Sequence, residues 1–214
     1  METKIFNYPF DNNVALYCTN EIKNGNIGIF PTDTVYGIGC DSLNINAIKQ
    51  LYNIKNRSLN KPVCILISNI EMINKFVKNI NNIEQKLMET FWPGALTIIF
   101  DKSNIVSDLL TSGLDTIGIR MPNNEICLNI IKNLGKPIAM SSANISNKSP
   151  NSNLNALLKD FDNKVSFILN DNNLSTEIPS TIVRVENNNI HIIREGNISA
   201  EDIKKCFGGN INVK

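Results

Sequence analysis

The sequence predicts an α/β fold of three layers, a mixed β-sheet with helices on its faces. Three observations lead there. Short apolar runs, read as buried strands, alternate along the chain with stretches of helical periodicity. Several runs, such as VCILI at 63–67 and LTIIF at 96–100, are apolar without polar alternation, as strands covered on both sides are. The last two, in TIVRVENNNIHIIRE, are joined by an asparagine turn and read as an antiparallel hairpin, so the sheet is mixed.

Taken in order, residues 10–23 read as a helix and 27–30 as a strand. In 44–54, NINAIKQLYNI, apolar residues at 45, 48, 51 and 54 form a helical stripe. A strand at 63–67 precedes one or two helices in 71–91. Strands follow at 96–100, 116–120, 137–140, 165–169, 181–185 and 190–194, with helices at 124–133, 153–161 and 199–206. NNN at 187 and DNN at 171 read as polar turns. No linker, repeat or low-complexity stretch interrupts the pattern, so the 214 residues are expected to form one domain, 1–214.

Composition narrows the function. A formal net charge of +1 gives no global field toward nucleic acid or membrane, so any polyanion must meet a local cluster. No apolar run approaches the ~18 residues of a membrane span. The five cysteines contain no CxxC pair, which argues against structural zinc and a disulfide scaffold and fits a cytoplasmic protein. The single histidine, His191, excludes sites of several imidazoles and reads as a structural strand residue. Abundant asparagine reads as a compositional bias of the genome.

Five stretches can carry chemistry. In IFPTDTVYGIGC an apolar strand stops at a proline and runs into Thr32, Asp33, Thr34 and Tyr36. Ligands of open α/β sheets sit beyond strand ends, so these hydroxyls face a crevice or cap an ordinary turn, and Asp33 is equally a local cap. KNRSLNKP places Lys55, Arg57 and Lys61 in one short loop, either solvated or gathered around a shared anion such as a nucleotide triphosphate. TIGIRMP puts Arg120 at a strand end, capped at the surface or aimed into the crevice, where it suits a carboxylate. PIAMSSANIS runs a strand into Ser141, Ser142 and Asn144, which also make a fair helix start. Ser180 precedes one late strand and Arg194 ends another. FWPGALT reads as structural, with Trp92 packed and Pro93-Gly94 turning the chain. No GxxxxGK[ST] or GxGxxG occurs, so a nucleotide would be held by side-chain cations and strand-end hydroxyls.

PTDTVYGIGC, KNRSLNKP, FWPGALT, TIGIRMP, SSANIS and PSTIV…IIREG, in this order over about residues 25–200, resemble the YrdC-type threonylcarbamoyl-adenylate synthases. The resemblance implies a twisted mixed sheet flanked by helices around a concave basic cavity. It implies that ATP, L-threonine and bicarbonate or CO2 become threonylcarbamoyl-AMP and pyrophosphate. A downstream transferase then passes the group to tRNA, which this chain meets only indirectly. It assigns Thr32, Tyr36, Arg120 and Ser180 to threonine. Lys55, Arg57, Lys61, Thr116, Ser142, Asn144 and Arg194 go to ATP, with Lys55 and Arg57 catalytic. Mg2+ is expected on the phosphates and water, since the sequence offers no carboxylate cage, and no general base stands out. Three residues depart from the pattern: Ser58 and Ala95 where proline is common, and Asn147 where glycine is. An RNA-binding module is the alternative; it requires an extended basic stripe, the enzyme a compact basic pocket. A carbamoyl-transfer role like that of similar domains in hydrogenase maturation lacks the companion acylphosphatase and zinc-finger segments.

Overall fold

The computed structural model describes residues 2–171, 178–209 and 211–214. Among them, ten strands form one mixed sheet in the order β1-β8-β2-β3-β7-β4-β6-β5-β9-β10. The strands are β1 (Lys4–Asn7), β2 (Gly28–Phe30), β3 (Gly37–Asp41), β4 (Cys64–Leu66), β5 (Leu96–Asp101), β6 (Thr116–Arg120), β7 (Ile138–Ser142), β8 (Phe167–Asn170), β9 (Thr181–Glu186) and β10 (Asn189–Arg194). Pairing is parallel for β1/β8, β2/β8, β4/β6 and β5/β9, and antiparallel elsewhere. The helices are α1 (Asn12–Lys23), α2 (Ile45–Ile54), α3 (Asn82–Phe91), α4 (Asp108–Thr111), α5 (Glu125–Leu134), α6 (Leu154–Phe161) and α7 (Ala200–Cys206). None is long and apolar enough to cross a membrane.

The asparagines have local uses. Asn44, Asn81, Asn124 and Asn153 cap α2, α3, α5 and α6, each side-chain oxygen accepting backbone N–H groups left open in the first turn. Asn187 and Asn188, both at positive φ, make the two-residue turn between β9 and β10. Asn147 also has positive φ, 69°, a conformation asparagine tolerates, so it can stand where the resemblance leads one to expect glycine. Of the DNN turn, the last two residues lie outside the described residues.

Strand alternation divides the core. On β8, Phe167 and Leu169 face one layer and Ile168 the other; Ile138 and Met140 oppose Ala139 on β7 in the same way. The first layer is closed by α1 and α5. The second carries Leu51 of α2, Leu87 of α3, Leu157 of α6 and Ile203 of α7. Gly28 sits where a Cβ would come within 2.0 Å of Phe167 Cζ, a ring locked edge-on to Phe30. Gly28→Ala is expected to destabilise the protein by about 2–3 kcal/mol through overpacking, read as a lower urea midpoint; an unchanged midpoint contradicts this packing.

Several expectations need correction. β1, β3 and α4 were not foreseen, whereas the 71–91 segment does hold two helices, a 3-10 helix, Ile70–Lys75, and then α3. The serines of SSANIS end strand β7 rather than begin a helix; the next helix, α6, starts at Leu154.

Candidate active site

Helices α1 and α5 cover only part of their side of the sheet. Beyond them, β4, β6, β5 and β9 floor a cavity of about 280 Å3, at the lower end for small-molecule sites. Its floor is the alternate set of strand residues. On β6, Thr116, Gly118 and Arg120 face the cavity, while Ile117 and Ile119 are in the core. On β5, Thr97 and Ile99 face it and Ile98 and Phe100 do not. Cys64 and Leu66 of β4 and Ile182 of β9 continue the floor. The floor is low because Gly118 contributes no side chain: a Cβ there would already lie 3.3 Å from Thr97 and 3.4 Å from Cys64.

A β-bulge delivers Arg194. Strand β10 pairs in step with β9 as far as Ile192↔Val183, then slips so that Arg194, not Ile193, faces Ile182. Plain alternation would have sent Arg194 to the core face with Ile190 and Ile192; the extra residue re-aims it into the cavity. There it donates through Nε (3.1 Å) and NH2 (2.7 Å) to the Ser180 carbonyl, and through NH2 to Ser180 Oγ at 3.1 Å. Ser180 Oγ in turn lies 2.9 Å from Thr97 Oγ1. Burial, and secondarily the nearby Arg120 charge, lowers the Arg194 pKa.

Of the residues expected at the site, Thr32, Tyr36, Arg57, Thr116, Arg120, Ser142, Ser180 and Arg194 line this cavity. Lys55, Lys61 and Asn144 do not. Lys55 is 1% exposed, and its ammonium donates to the carbonyls of Ser142 and of Asn144, the latter at 2.6 Å. Burial, then the neighbouring Arg57 charge, lowers its pKa to about 7. Lys61 donates to Asn147 Oδ1 at 2.6 Å, and Asn144 Nδ2 ties the same loop at Ile145 and Lys148. These three brace the wall behind Ser142. Arg57 is held from its own loop, donating to the carbonyls of Lys61 and Pro62 at 3.1 and 2.7 Å. The expected pocket of Lys55, Arg57, Lys61 and Arg194 is therefore a cluster of Arg57, Arg120 and Arg194, with both lysines behind it.

Sequence reading also missed partners. Arg120, 5% exposed, is neither capped at the surface nor free: Asp33, Thr34 and the Gly94 carbonyl all accept from it. Asp33 is thus an ion partner for Arg120 and not the cap of a local turn. Gly94 brings FWPGALT to the site, although Trp92 does pack, its Nε1 donating to the Leu96 carbonyl at 2.7 Å. Thr32 Oγ1 donates to the Val35 carbonyl at 2.7 Å, and Tyr36 Oη both donates to and accepts from the Asp171 backbone. Burial pushes the Tyr36 hydroxyl pKa up. Ser141, Met140, Pro179 and Leu114 complete the walls.

Among the described residues, none that lines the cavity is a carboxylate, and there is no group of three or more His, Cys, Asp or Glu placed to bind a metal ion. The donor set does not fit a protein-held Mg2+. It fits an anionic ligand: guanidiniums and hydroxyls, all donors, with Arg57 and Arg194 free of ion pairs among the described residues.

Comparison with known proteins places the chain in one family. The Sua5/YciO/YrdC family model, described as telomere recombination, matches residues 20–196. The threonylcarbamoyl-AMP synthase of Pyrococcus abyssi is 35% identical over 187 residues, 87% of this chain and 55% of that protein. A putative threonylcarbamoyl-AMP synthase of Methanocaldococcus jannaschii is 35% identical over 195 residues, 90% of each. The crystal structure of P. abyssi Sua5 complexed with L-threonine superposes with a TM-score of 0.93 at 31% identity, over 100% of this chain and 63% of that one. The chain thus spans little more than half of the Pyrococcus relative and nearly all of the Methanocaldococcus one.

Proposed function

This chain belongs to the Sua5/YciO/YrdC family, and from that membership and the cavity we propose that it is a threonylcarbamoyl-AMP synthase, with its ten-stranded sheet as one catalytic domain. The observation that carries the reading is the cavity itself: three arginines and a rim of hydroxyls on one sheet face, with no carboxylate among the described lining residues.

The substrates are L-threonine, bicarbonate or CO2, and ATP. The threonine amine attacks the carbon of CO2 or bicarbonate, forming a C–N bond and a carbamate; from CO2 an amine proton leaves to solvent, and from bicarbonate water leaves. A carbamate oxygen then attacks the α-phosphorus of ATP, and the bond to the β-phosphate breaks as pyrophosphate departs. Each step gathers negative charge on oxygen, which fixed donors in a dry cavity stabilise. Arg120 takes the threonine carboxylate, with Thr32, Tyr36 and Ser180 around the amino acid. Arg57, Arg194, Thr116 and Ser142 take the phosphates. Lys55, Lys61 and Asn144 act from behind by holding the Ser142 wall. Mg2+ enters as the nucleotide's counter-ion, held by phosphates and water. The product passes to a downstream threonylcarbamoyl transferase acting on tRNA, in the cytoplasm.

The deciding experiment is pyrophosphate release from ATP by purified protein, with and without L-threonine and bicarbonate. Release that needs both supports the synthase; release indifferent to threonine contradicts it. Thr32→Ala should raise the threonine KM by about tenfold, the worth of one hydrogen bond to a charged or developing partner, and leave the ATP KM nearly unchanged. Equal shifts in both constants would remove Thr32 from the threonine end.

A further inference from the structure

The Arg120 guanidinium is held from three directions by acceptors on two separate segments. Nε donates to the Gly94 carbonyl at 2.9 Å, NH1 to Thr34 Oγ1 at 2.9 Å, and NH2 to Asp33 Oδ1. Three acceptors around a planar group fix its plane as well as its position. An arginine carries five N–H donors, so among the described contacts two remain, the number a carboxylate takes in a bidentate pair. Asp33 itself does not line the cavity, whereas its neighbours Thr32 and Thr34 do. The Thr34 hydroxyl bonded to Arg120 lies 3.1 Å from Thr32 Oγ1. The Asp33 and Arg120 side chains are 16% and 6% exposed, so water competes little for the pair.

We propose that Asp33 is a positioning residue for substrate-carboxylate recognition, acting through Arg120 by anchoring the guanidinium so that its two remaining N–H groups face the amino-acid carboxylate. Through Thr34 the same anchor sets the Thr32 hydroxyl. Asp33 touches no substrate. The inference rests on the synthase reading, with the amino acid at the Arg120 end.

The test measures L-threonine binding by calorimetry, together with the threonine and ATP KM values, for wild type, Asp33→Ala and Asp33→Asn. Asp33→Ala should weaken threonine binding and raise its KM by about tenfold or more, the scale of a lost charge-assisted hydrogen bond, with the ATP KM within about twofold. Asp33→Asn keeps one oxygen acceptor for Arg120 and should fall between wild type and Asp33→Ala. A residue that merely supported the fold would move both KM values together, and that result overturns the proposal. So does wild-type threonine affinity in folded Asp33→Ala. Should Asp33→Ala not fold, Asp33→Asn decides alone: threonine affinity weaker by about threefold supports the anchor, and wild-type affinity overturns it. Wild type that neither binds threonine nor releases pyrophosphate in response to it overturns the synthase reading and the inference with it, an outcome distinguished by needing no variant.

Discussion

Arg57→Ala lowers the rate of pyrophosphate release by a factor of about 100–1000, the usual consequence of removing one fixed donor to developing charge. The fold should survive. Arg57 is only half-buried, and its described contacts are to carbonyls of its own loop, Lys61 and Pro62. Losing those anchors loosens residues 57–62 without opening the core. Arg57 also has no ion-pair partner among the described residues, so its removal strands no buried carboxylate. Steady-state kinetics with a thermal melt checks both halves. Near wild-type turnover would take Arg57 out of the phosphate site, and a collapsed melt would make it a structural residue.

Lys55→Met produces a loss of a different kind. Methionine fills much of the lysine's volume but donates to neither the Ser142 nor the Asn144 carbonyl. The wall carrying the Ser142 hydroxyl then relaxes, and a misplacement of about 1 Å is enough for a hundredfold fall in rate. Stability should change with pH. The Lys55 pKa is lowered from 10.5 to about 7 by burial and then by Arg57. Between those values the unfolded chain binds the proton and the folded chain does not, so stability rises with pH across this window. Below about pH 7 both states hold the proton, and the wild type carries the full cost of a buried charge. Above it, the neutral amine still has two N–H groups for two carbonyls. The stability of wild type relative to Lys55→Met should therefore climb from pH 7 to 10, toward an advantage on the order of 2 kcal/mol where the variant leaves two carbonyls bare. Urea midpoints for both proteins across that range measure it, and parallel curves would mean that Lys55 keeps an ordinary pKa.

The elements legible in the sequence are those whose own residues announce them. TIGIR and LTIIF are strands by composition. NINAIKQLYNI carries both its apolar stripe and its asparagine cap. What stayed hidden depends on partners far along the chain. β3, Gly37–Asp41, contains two glycines and carries no strand signal of its own. It is a strand because β7 packs so closely that a Cβ on Gly37 would meet Met140 Sδ at 2.2 Å, and one on Gly39 the Ala139 carbonyl at 2.7 Å. β1 has only one partly buried residue and gains its strand form from β8.

The site follows the same division. Arginines and hydroxyls could be picked out by type and position, but their engagements could not. Asp33 and Arg120 are 87 residues apart, and nothing local distinguishes an ion partner from a turn cap. Lys55 and Arg57 stand in one tripeptide, yet one is buried against backbone carbonyls and the other lines the cavity. Arg194 reaches the cavity only because β10 slips by one residue, which regular alternation does not foretell.

A floor laid by alternate residues of four adjacent strands amounts to a pegboard. Its holes lie about 4.8 Å apart across the strands and about 6.8 Å apart along them. Cys64, Thr97, Gly118 and Ile182 each occupy one hole, while Ile65, Leu96, Ile98, Ile117, Ile119 and Val183 beside them in sequence belong to the packed core. Peg height can be changed at Ile182, where a shorter side chain deepens the space over β9, whereas any side chain at Gly118 would also press on Thr97 and Cys64. The hydrophobic layer beneath is insulated from such changes by the thickness of the sheet. That separation makes this surface a scaffold on which ligand preference can be retuned by single substitutions.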